Sequence, residues 1–518
     1  MRLVVIEPNE DLFILNDAKD TIIGYLDDHD PYIYIPSQIK GYTISKIADF
    51  AFYNHKHRQV IIDEGIIDIG NYAFANNYLL TSIKFPNTIR SIGKHAFYNH
   101  SLYNLTLPDS LVTIDDFAFY SDNFFSLLKD VKIPHNVSYL GVNAFNYRKI
   151  KYVSLSDNRT YKFESSTILT KDGKTLIAYV GDKVNLNKIN TVEEIGAYAF
   201  YKNKLETVVL PENVKIIGAY AFSNNQISSL TLSNNLQLID DYAFSGNRIN
   251  SLALPNSLEK IGDQAFAYNL LEKLTLNNKN LILGEYVFSN NAIKELQLPD
   301  NLTIINTGLF ANNKLEIITL PKDLKIVGAY AFSNNALTKL DIPNTVTLIA
   351  QETFSHNYIT SITIPETLTK VSVGVFAYNS IQNLTINNGV QIIDDKAFMY
   401  NNISNLTLPE SVITIGNISF AYNKIKIIYI PHTVLTIQNG SFMGNNITYL
   451  KVPNSLKYIG ESAFQDNQIQ NLVFPDYLLV IGSHCFANNH ITELEIPDNI
   501  MYIDTNGFID NPLEKNAI

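Results

Sequence analysis

The chain of 518 residues contains no tryptophan, four methionines and one cysteine. A single thiol excludes an intrachain disulfide framework. It also leaves no cysteine pair for a redox couple or a thiolate metal site. No run of 18 apolar residues occurs, so no transmembrane helix is expected. The opening Met1-Arg2-Leu3-Val4-Val5-Ile6-Glu7-Pro8 has too short an apolar stretch for a signal peptide and no small-residue cleavage site. A soluble chain without a legible address is the expectation, and its compartment stays open. Basic runs are missing as well. The formal charge is −11, with a pI near 5.4. Nucleic acid as the main partner needs a concentrated basic face, so the acidity reads as solubility. A phosphate-cradling glycine loop, G-x-S-x-G and H-E-x-x-H are all absent. No enzyme, no catalytic residue and no cofactor are expected.

What is present is a strict period. From Phe200 to Phe508 a phenylalanine recurs every 22 residues in 15 copies, each with Asn three places on, from Asn203 to Asn511. Phe222/Asn225, Phe244/Asn247, Phe266/Asn269 and Phe332/Asn335 are clear examples. A fixed period in this range means stacked coils that lengthen one core instead of splitting into several. Five less regular coils precede them, with phenylalanines at 52, 74, 97, 119 and 145. Their Asn column degrades to His55, Asn77, His100, Asp122 and Arg148.

The sequence therefore divides into an N-terminal cap and entry repeat (1–46), irregular repeats (47–145), a β-hairpin insert with an irregular coil (146–199), the regular array (200–511) and a tail (512–518). In the cap, Leu3 to Ile6, Phe13 to Leu15, Thr21 to Tyr25 and Tyr32 to Ile35 read as strands between turns such as Asp27-Asp28. In the insert, Thr167 to Thr170 and Thr175 to Tyr179 flank Lys171-Asp172-Gly173-Lys174, a hairpin signal.

Each column of the repeat has a physical reading. Aliphatic residues eight and ten places after the phenylalanine alternate as an inward-facing strand. Proline at the next position ends it, because it cannot donate to a ladder. Glycine, as in Ile217-Gly218 and Ile261-Gly262, suggests a turn with positive φ. The asparagine amides suit buried backbone groups in the bend before the strand. Cys485 occupies the small-residue column with Ala221 and Ala463, as a packing thiol.

Read in full, the unit is Ile249-Asn-Ser-Leu252-Ala-Leu254-Pro255-Asn-Ser-Leu258-Glu-Lys-Ile261-Gly262-Asp-Gln-Ala265-Phe266-Ala-Tyr-Asn269. It resembles the BspA-like leucine-rich repeat family over roughly residues 20–511. Tyr34-Ile35-Pro36 through Ala51-Phe52 looks like that family's opening repeat, and Ile168 to Tyr179 like its hairpin variant. The resemblance implies an α/β-type leucine-rich repeat solenoid, with a parallel β-sheet on the concave face and short helical or turn segments on the convex face. It further implies a non-catalytic scaffold for protein–protein interaction or ligand binding, in adhesion or host interaction, secreted or at the cell surface.

On such a solenoid the concave face is the binding surface. Its outward positions lie seven and nine places after each phenylalanine. In the middle coils they form polar ladders (Ser361/Thr363, Asn383/Thr385, Asn405/Thr407) suited to many weak glycan contacts. Toward the C-terminus they become Ile427/Tyr429 and Tyr449/Lys451, a cluster of the kind that anchors interfaces. Tyrosine also recurs two before the phenylalanine (Tyr198, Tyr220, Tyr242) and two after it (Tyr378, Tyr400, Tyr422), either covering the coil or forming an adhesive stripe. His55, His57, His95 and His100 are the one histidine cluster; they read as turn caps, against a metal site completed by Asp63. Asn104, Asn383, Asn405 and Asn446 head glycosylation sequons that an Asn- and Thr-rich repeat generates by chance. A protein or glycan ligand is the expected partner, without membrane insertion. The alternative is an assembly protein that self-associates through solenoid ends, as a homodimer through the C-terminal end, where only Pro512 to Ile518 follow Asn511.

Overall fold

The computed structural model describes residues 8–27, 30–122, 127–146, 149–181, 186, 189–278, 280–504 and 506–513. The expected strand at Leu3 to Ile6, together with Asp28, Arg148 and the last residues of the tail, lies outside them. Two compact units occur, Met1–Ser245 and Gly246–Ile518. Each is a stack of β-coils built on the 22-residue repeat.

In the first unit, Phe13–Leu15 and Thr21–Tyr25 pair antiparallel, and Thr21–Tyr25 then starts a parallel ladder. Lys46–Ile47, Asp68–Ile69, Ser91–Ile92, Thr113–Ile114 and Tyr139–Leu140 continue it, one strand per coil. Tyr32–Ile35, Gln59–Ile62 and Ser82–Lys84 form another parallel ladder, in which Gln59–Ile62 starts seven places after Phe52. The insert is a three-stranded antiparallel meander of Tyr161–Glu164, Thr167–Thr170 and Thr175–Tyr179. Its last strand hands over to parallel pairing with Glu194–Ile195.

The regular coils thus have two strand positions, the second formed in each coil from Phe200 to Phe486 and the first only in some of them. The first, seven to nine places after the phenylalanine, follows from the alternating aliphatic pattern; Thr207–Val209 paired with Ser229–Thr231 is an example. Proline then opens a turn, and the Pro211 carbonyl accepts the Val214 N–H at 3.1 Å. The second strand position, sixteen and seventeen places after the phenylalanine, has no alternating signal because it is two residues long. It nevertheless makes the longer ladders, such as the seven strands from Lys370–Val371 to Tyr502–Ile503 in the second unit.

Two expectations are corrected here. The segment around the phenylalanine is not helical; among the described residues there is no α-helix, and Glu10–Leu12 is a 3-10 turn. In the coil of Phe222 the backbone N–H groups alternate in destination. Those of Tyr220, Phe222 and Asn224 donate to the next coil at 2.8–2.9 Å, while those of Ala221 and Ser223 donate three residues back. Tyr220 and Asn224 have φ of 57° and 56°. A left-handed residue on either side of the phenylalanine interrupts the run of right-handed residues that a helix needs. The second correction concerns the glycine that follows the inward isoleucine. Gly218 does not have positive φ; a Cβ there would lie 2.7 Å from the backbone nitrogen of Ala197 in the preceding coil. Close approach of coils, not turn conformation, calls for it.

The core of each unit is a file of stacked rings. In the first unit Phe52, Phe74, Phe97 and Phe119 stack at 4.9–5.1 Å between centroids, and Phe222 and Phe244 at 5.1 Å. In the second, Phe266 and Phe288 stack at 5.9 Å, and Phe310, Phe332 and Phe354 at 5.6 Å. All are buried, flanked by the inward aliphatics of both ladders. Such rings bring large apolar areas plus favourable ring–ring geometry. Cys485 is fully buried in its packing column, and burial pushes its thiol up.

The asparagine column runs beside the rings. Asn225, Asn247, Asn269 and Asn335 are all buried. The amides of Asn225, Asn269 and Asn335 donate to the phenylalanine carbonyl of their own coil, at 2.9, 3.1 and 3.1 Å. The Asn225 amide also reaches the Phe200 carbonyl of the preceding coil at 2.8 Å, so the expected cap of one bend is in fact shared between two. Asn247 is the first column asparagine of the second unit. It is buried like Asn225, Asn269 and Asn335.

Candidate functional site

The outward positions of the first ladder are set by strand alternation. Ile427–Tyr429 pairs in parallel with Tyr449–Lys451, with Ile427 opposite Tyr449 and Tyr429 opposite Lys451. Ile428 and Leu450, between them, point into the core. The alternation therefore holds all four named side chains outward on adjacent coils. Ile427 is 48%, Tyr429 57% and Tyr449 49% exposed. The two tyrosine rings meet at 5.7 Å between centroids, tilted by 52°. Val473, the residue after Lys451 in the same column, is 81% exposed and extends the group. The column spacing alone locates Val473, although a lone valine beside two tyrosines carries little signal. Toward the N-terminus the same face continues as Ser361–Ile364 paired with Asn383–Ile386, so Thr363 faces the coil of Thr385.

A second exposed apolar column was not singled out from the sequence. Ile304, Ile326 and Leu348 occupy matching positions on three consecutive strands of the second ladder, with Ile304 and Leu348 about half exposed. The signal was one isoleucine or leucine before the inward one, hidden because both are aliphatic.

The tyrosines near the phenylalanine stack in files of their own. Tyr198, Tyr220 and Tyr242 lie 4.7 and 4.6 Å apart between ring centroids in the first unit. His356, Tyr378, Tyr400 and Tyr422 lie 4.3, 5.0 and 4.5 Å apart in the second. Burial, helped by the neighbouring hydroxyl of Tyr220, raises Tyr198 to about 12. Ring faces are spent on one another here.

The histidines do not converge. His57 Nδ1 lies 2.6 Å from the Asp30 carbonyl and its Nε2 3.2 Å from His55 Nδ1. His95 instead stacks between Tyr72 and Phe117. His100 replaces the column asparagine: its Nδ1 accepts the Leu102 N–H at 2.9 Å, and its Nε2 lies 3.0 Å from the Phe119 carbonyl, which needs the Nε2–H tautomer. Among the described residues no group of three His, Cys, Asp or Glu is placed to hold a metal. Burial pushes the His100 imidazole down to about 4, from an ordinary 6.5. An unfolded chain takes up this proton between those values and the folded one does not, so stability present above pH 6.5 is lost as pH falls toward 4. The loss attributable to His100 is roughly 3 kcal/mol. Urea unfolding at pH 7 and pH 4.5 is expected to show a smaller acid loss in His100→Asn than in the parent.

Acidic pairs at the coil bend are structural too. Asp395 Oδ1 accepts the Asn417 N–H of the next coil at 2.7 Å, and Asn417 Oδ1 accepts from Asn439 at 3.2 Å. No described helix is long and apolar enough to cross a membrane.

The sequence matches the profile of a BspA type leucine rich repeat region (6 copies) over residues 45–169, 182–294, 282–402 and 391–514. No curated protein matches the chain. Solved structures similar to it include a leucine-rich repeat protein from Bacteroides ovatus, at 20% identity over 88% of this chain and 90% of that one, with a TM-score of 0.31. A leucine rich cell surface protein from Faecalibacterium prausnitzii matches at 21% identity over 72% and 92%, TM-score 0.39. YopM from Yersinia enterocolitica matches at 18% identity over 88% of each chain, TM-score 0.41.

Proposed function

We propose that this chain, which belongs to the BspA-type leucine-rich repeat family, is a recognition scaffold whose ligand docks on the outward face of the first ladder, centred on Ile427, Tyr429, Tyr449 and Lys451. The family is a repeat scaffold suited to protein–protein interaction and generally not enzymatic. The observation that carries the reading is the exposure of two tyrosines and an isoleucine side by side on a face fixed by strand alternation, with Val473 exposed at the matching position of the next coil. Aromatic anchors on a rigid support lose little side-chain freedom on binding. A role in adhesion or host interaction, with a protein or glycan as ligand, follows from this reading.

The test is capture from the relevant lysate and on a glycan array, comparing the parent with a variant carrying Tyr429→Ser, Tyr449→Ser and Lys451→Ser. All three side chains are exposed, so the variant's melting temperature is expected to stay close to the parent's. A ligand held by the parent and lost by the variant is the expected outcome. Equal capture by both would remove the patch from consideration. Capture by neither, with light scattering that shows mass rising with concentration, would favour self-association through coil ends.

A further inference from the structure

The charge on this face is arranged against the charge of the whole. The exposed positions of the first ladder and its approach lie four, six, seven and nine places after each phenylalanine. Across the six coils from Phe354 to Phe464 these positions contain three lysines (Lys424, Lys426, Lys451), three tyrosines (Tyr358, Tyr429, Tyr449), Ile427 and Val473, and otherwise Ser, Thr, Asn and Gln. Not one of the 24 positions is acidic, in a chain with 50 Asp and Glu. Acidic residues return on either side, at Asp341 and at Glu493 and Glu495.

Two lysines elsewhere on this ladder are neutralised by the neighbouring coil: Lys273 pairs with Glu295 at 2.8 Å and Lys294 with Glu272 at 3.7 Å. Among the described residues none forms an ion pair with Lys424, Lys426 or Lys451. Lys451 stands opposite Tyr429 in strand register, and Lys426 directly precedes Ile427.

From this we infer that the ligand of the strip is an anionic polysaccharide, a polymer of acidic sugars laid across the coils; the inference rests on the recognition reading above. Two arguments, the repeated polar ladder and the tyrosine surfaces, favour it over an acidic peptide, while the lysines account for the negative charge. Over the coils of Phe354, Phe376 and Phe398 the strip repeats a hydroxyl once per coil (Thr363, Thr385, Thr407), with the amides of Asn383 and Asn405 beside it, at the spacing of about 4.8 Å between paired strands. A polymer of like units presents the same group to each coil in turn, which a peptide of varied side chains does not. The tyrosines add flat surfaces for the C–H faces of sugars, while the unpaired lysines supply attraction for carboxylate or sulfate at a place where no carboxylate of the scaffold competes.

The experiment uses the full chain and four immobilised probes: polygalacturonate, neutral dextran, poly-L-glutamate and a DNA duplex. Retention on polygalacturonate that weakens as salt rises, without retention on dextran, is expected. Lys424→Glu, Lys426→Glu and Lys451→Glu together are expected to reduce that retention about tenfold or more, since reversed charges repel the same ligand. All three side chains are exposed, and an unchanged melting curve checks that the fold is kept. Equal or stronger retention on poly-L-glutamate or DNA would overturn the inference, as would no retention on polygalacturonate at low salt. A ligand from the earlier capture that needs Tyr429 and Tyr449 but ignores the lysines would sink this inference and leave the recognition reading standing.

Discussion

Asn335→Ala is expected to lower stability by roughly 2–4 kcal/mol, more than most single substitutions. The Asn335 amide donates to the Phe310 carbonyl of the preceding coil at 2.9 Å and to the Phe332 carbonyl of its own at 3.1 Å. Its oxygen accepts the buried Leu315 N–H at 3.1 Å. Each phenylalanine carbonyl is doubly occupied, since Phe310 also accepts from Asn313 and Phe332 from Asn357. Alanine therefore leaves both carbonyls with one partner each but strands the Leu315 N–H entirely, and that orphan dominates the loss. Asn335→Asp sharpens the test. The carboxylate still accepts from Leu315 but faces two carbonyl oxygens to which it cannot donate. It is expected to be worse than alanine at pH 7 and to recover in part on acidification, as the protonated acid regains a donor. Hydrogen exchange should report the opening at the Leu315 coil and its neighbours, leaving distant coils protected. Alanine and aspartate variants as stable as the parent would mean that the amide file is dispensable.

Phe332→Ala is expected to cost about 3–5 kcal/mol. The ring is fully buried and lies 5.6 Å from both Phe310 and Phe354, so its removal empties one place in a file held on both sides. Collapse is limited, because the coils on either side are fixed by their own ladders and amides. Phe332→Leu, which keeps most of the volume, is expected to lose less than half as much. Denaturant unfolding followed by far-ultraviolet dichroism gives the difference. A loss below about 1 kcal/mol for the alanine variant would show that the coils close over the gap.

The readability of the sequence followed the kind of signal each element carries. The phenylalanine files of the two units were visible because a period needs no propensity argument to be seen. The Asn column was legible as a cap, and the burial of Asn247 and its equivalents agrees with that. Its bridge between coils was not legible: Asn225 to Phe200 spans 25 residues and depends on which carbonyl the stack brings near. The strand Ile427–Tyr429 followed from alternation, whereas Ile216–Ile217 did not, since two aliphatics in succession show no period. The helical expectation around Phe222 failed for a physical reason. An Ala-Phe pair favours helix locally, but the left-handed Tyr220 and Asn224 send alternate N–H groups to the neighbouring coil. Tyrosine at positive φ is uncommon, and propensity gave no warning of it. At the candidate site the column arithmetic located the four side chains, and exposure then added Val473.

The side-chain bonds of Asn335 span 2, 3, 20 and 25 residues, so none reaches past the adjoining coil. Copy number is therefore a free variable for such a chain. Excising one whole period of 22 residues brings chemically equivalent columns back into register and leaves each remaining amide with a carbonyl pair, whereas a cut of 21 shifts every column at once. Recombination out of step between two repeats would change length in these quanta. Reach along a surface can thus be altered by a route that never passes through an unfolded intermediate form, and a patch such as Tyr429 and Tyr449 can be moved nearer to or farther from the rest without redesigning its surroundings.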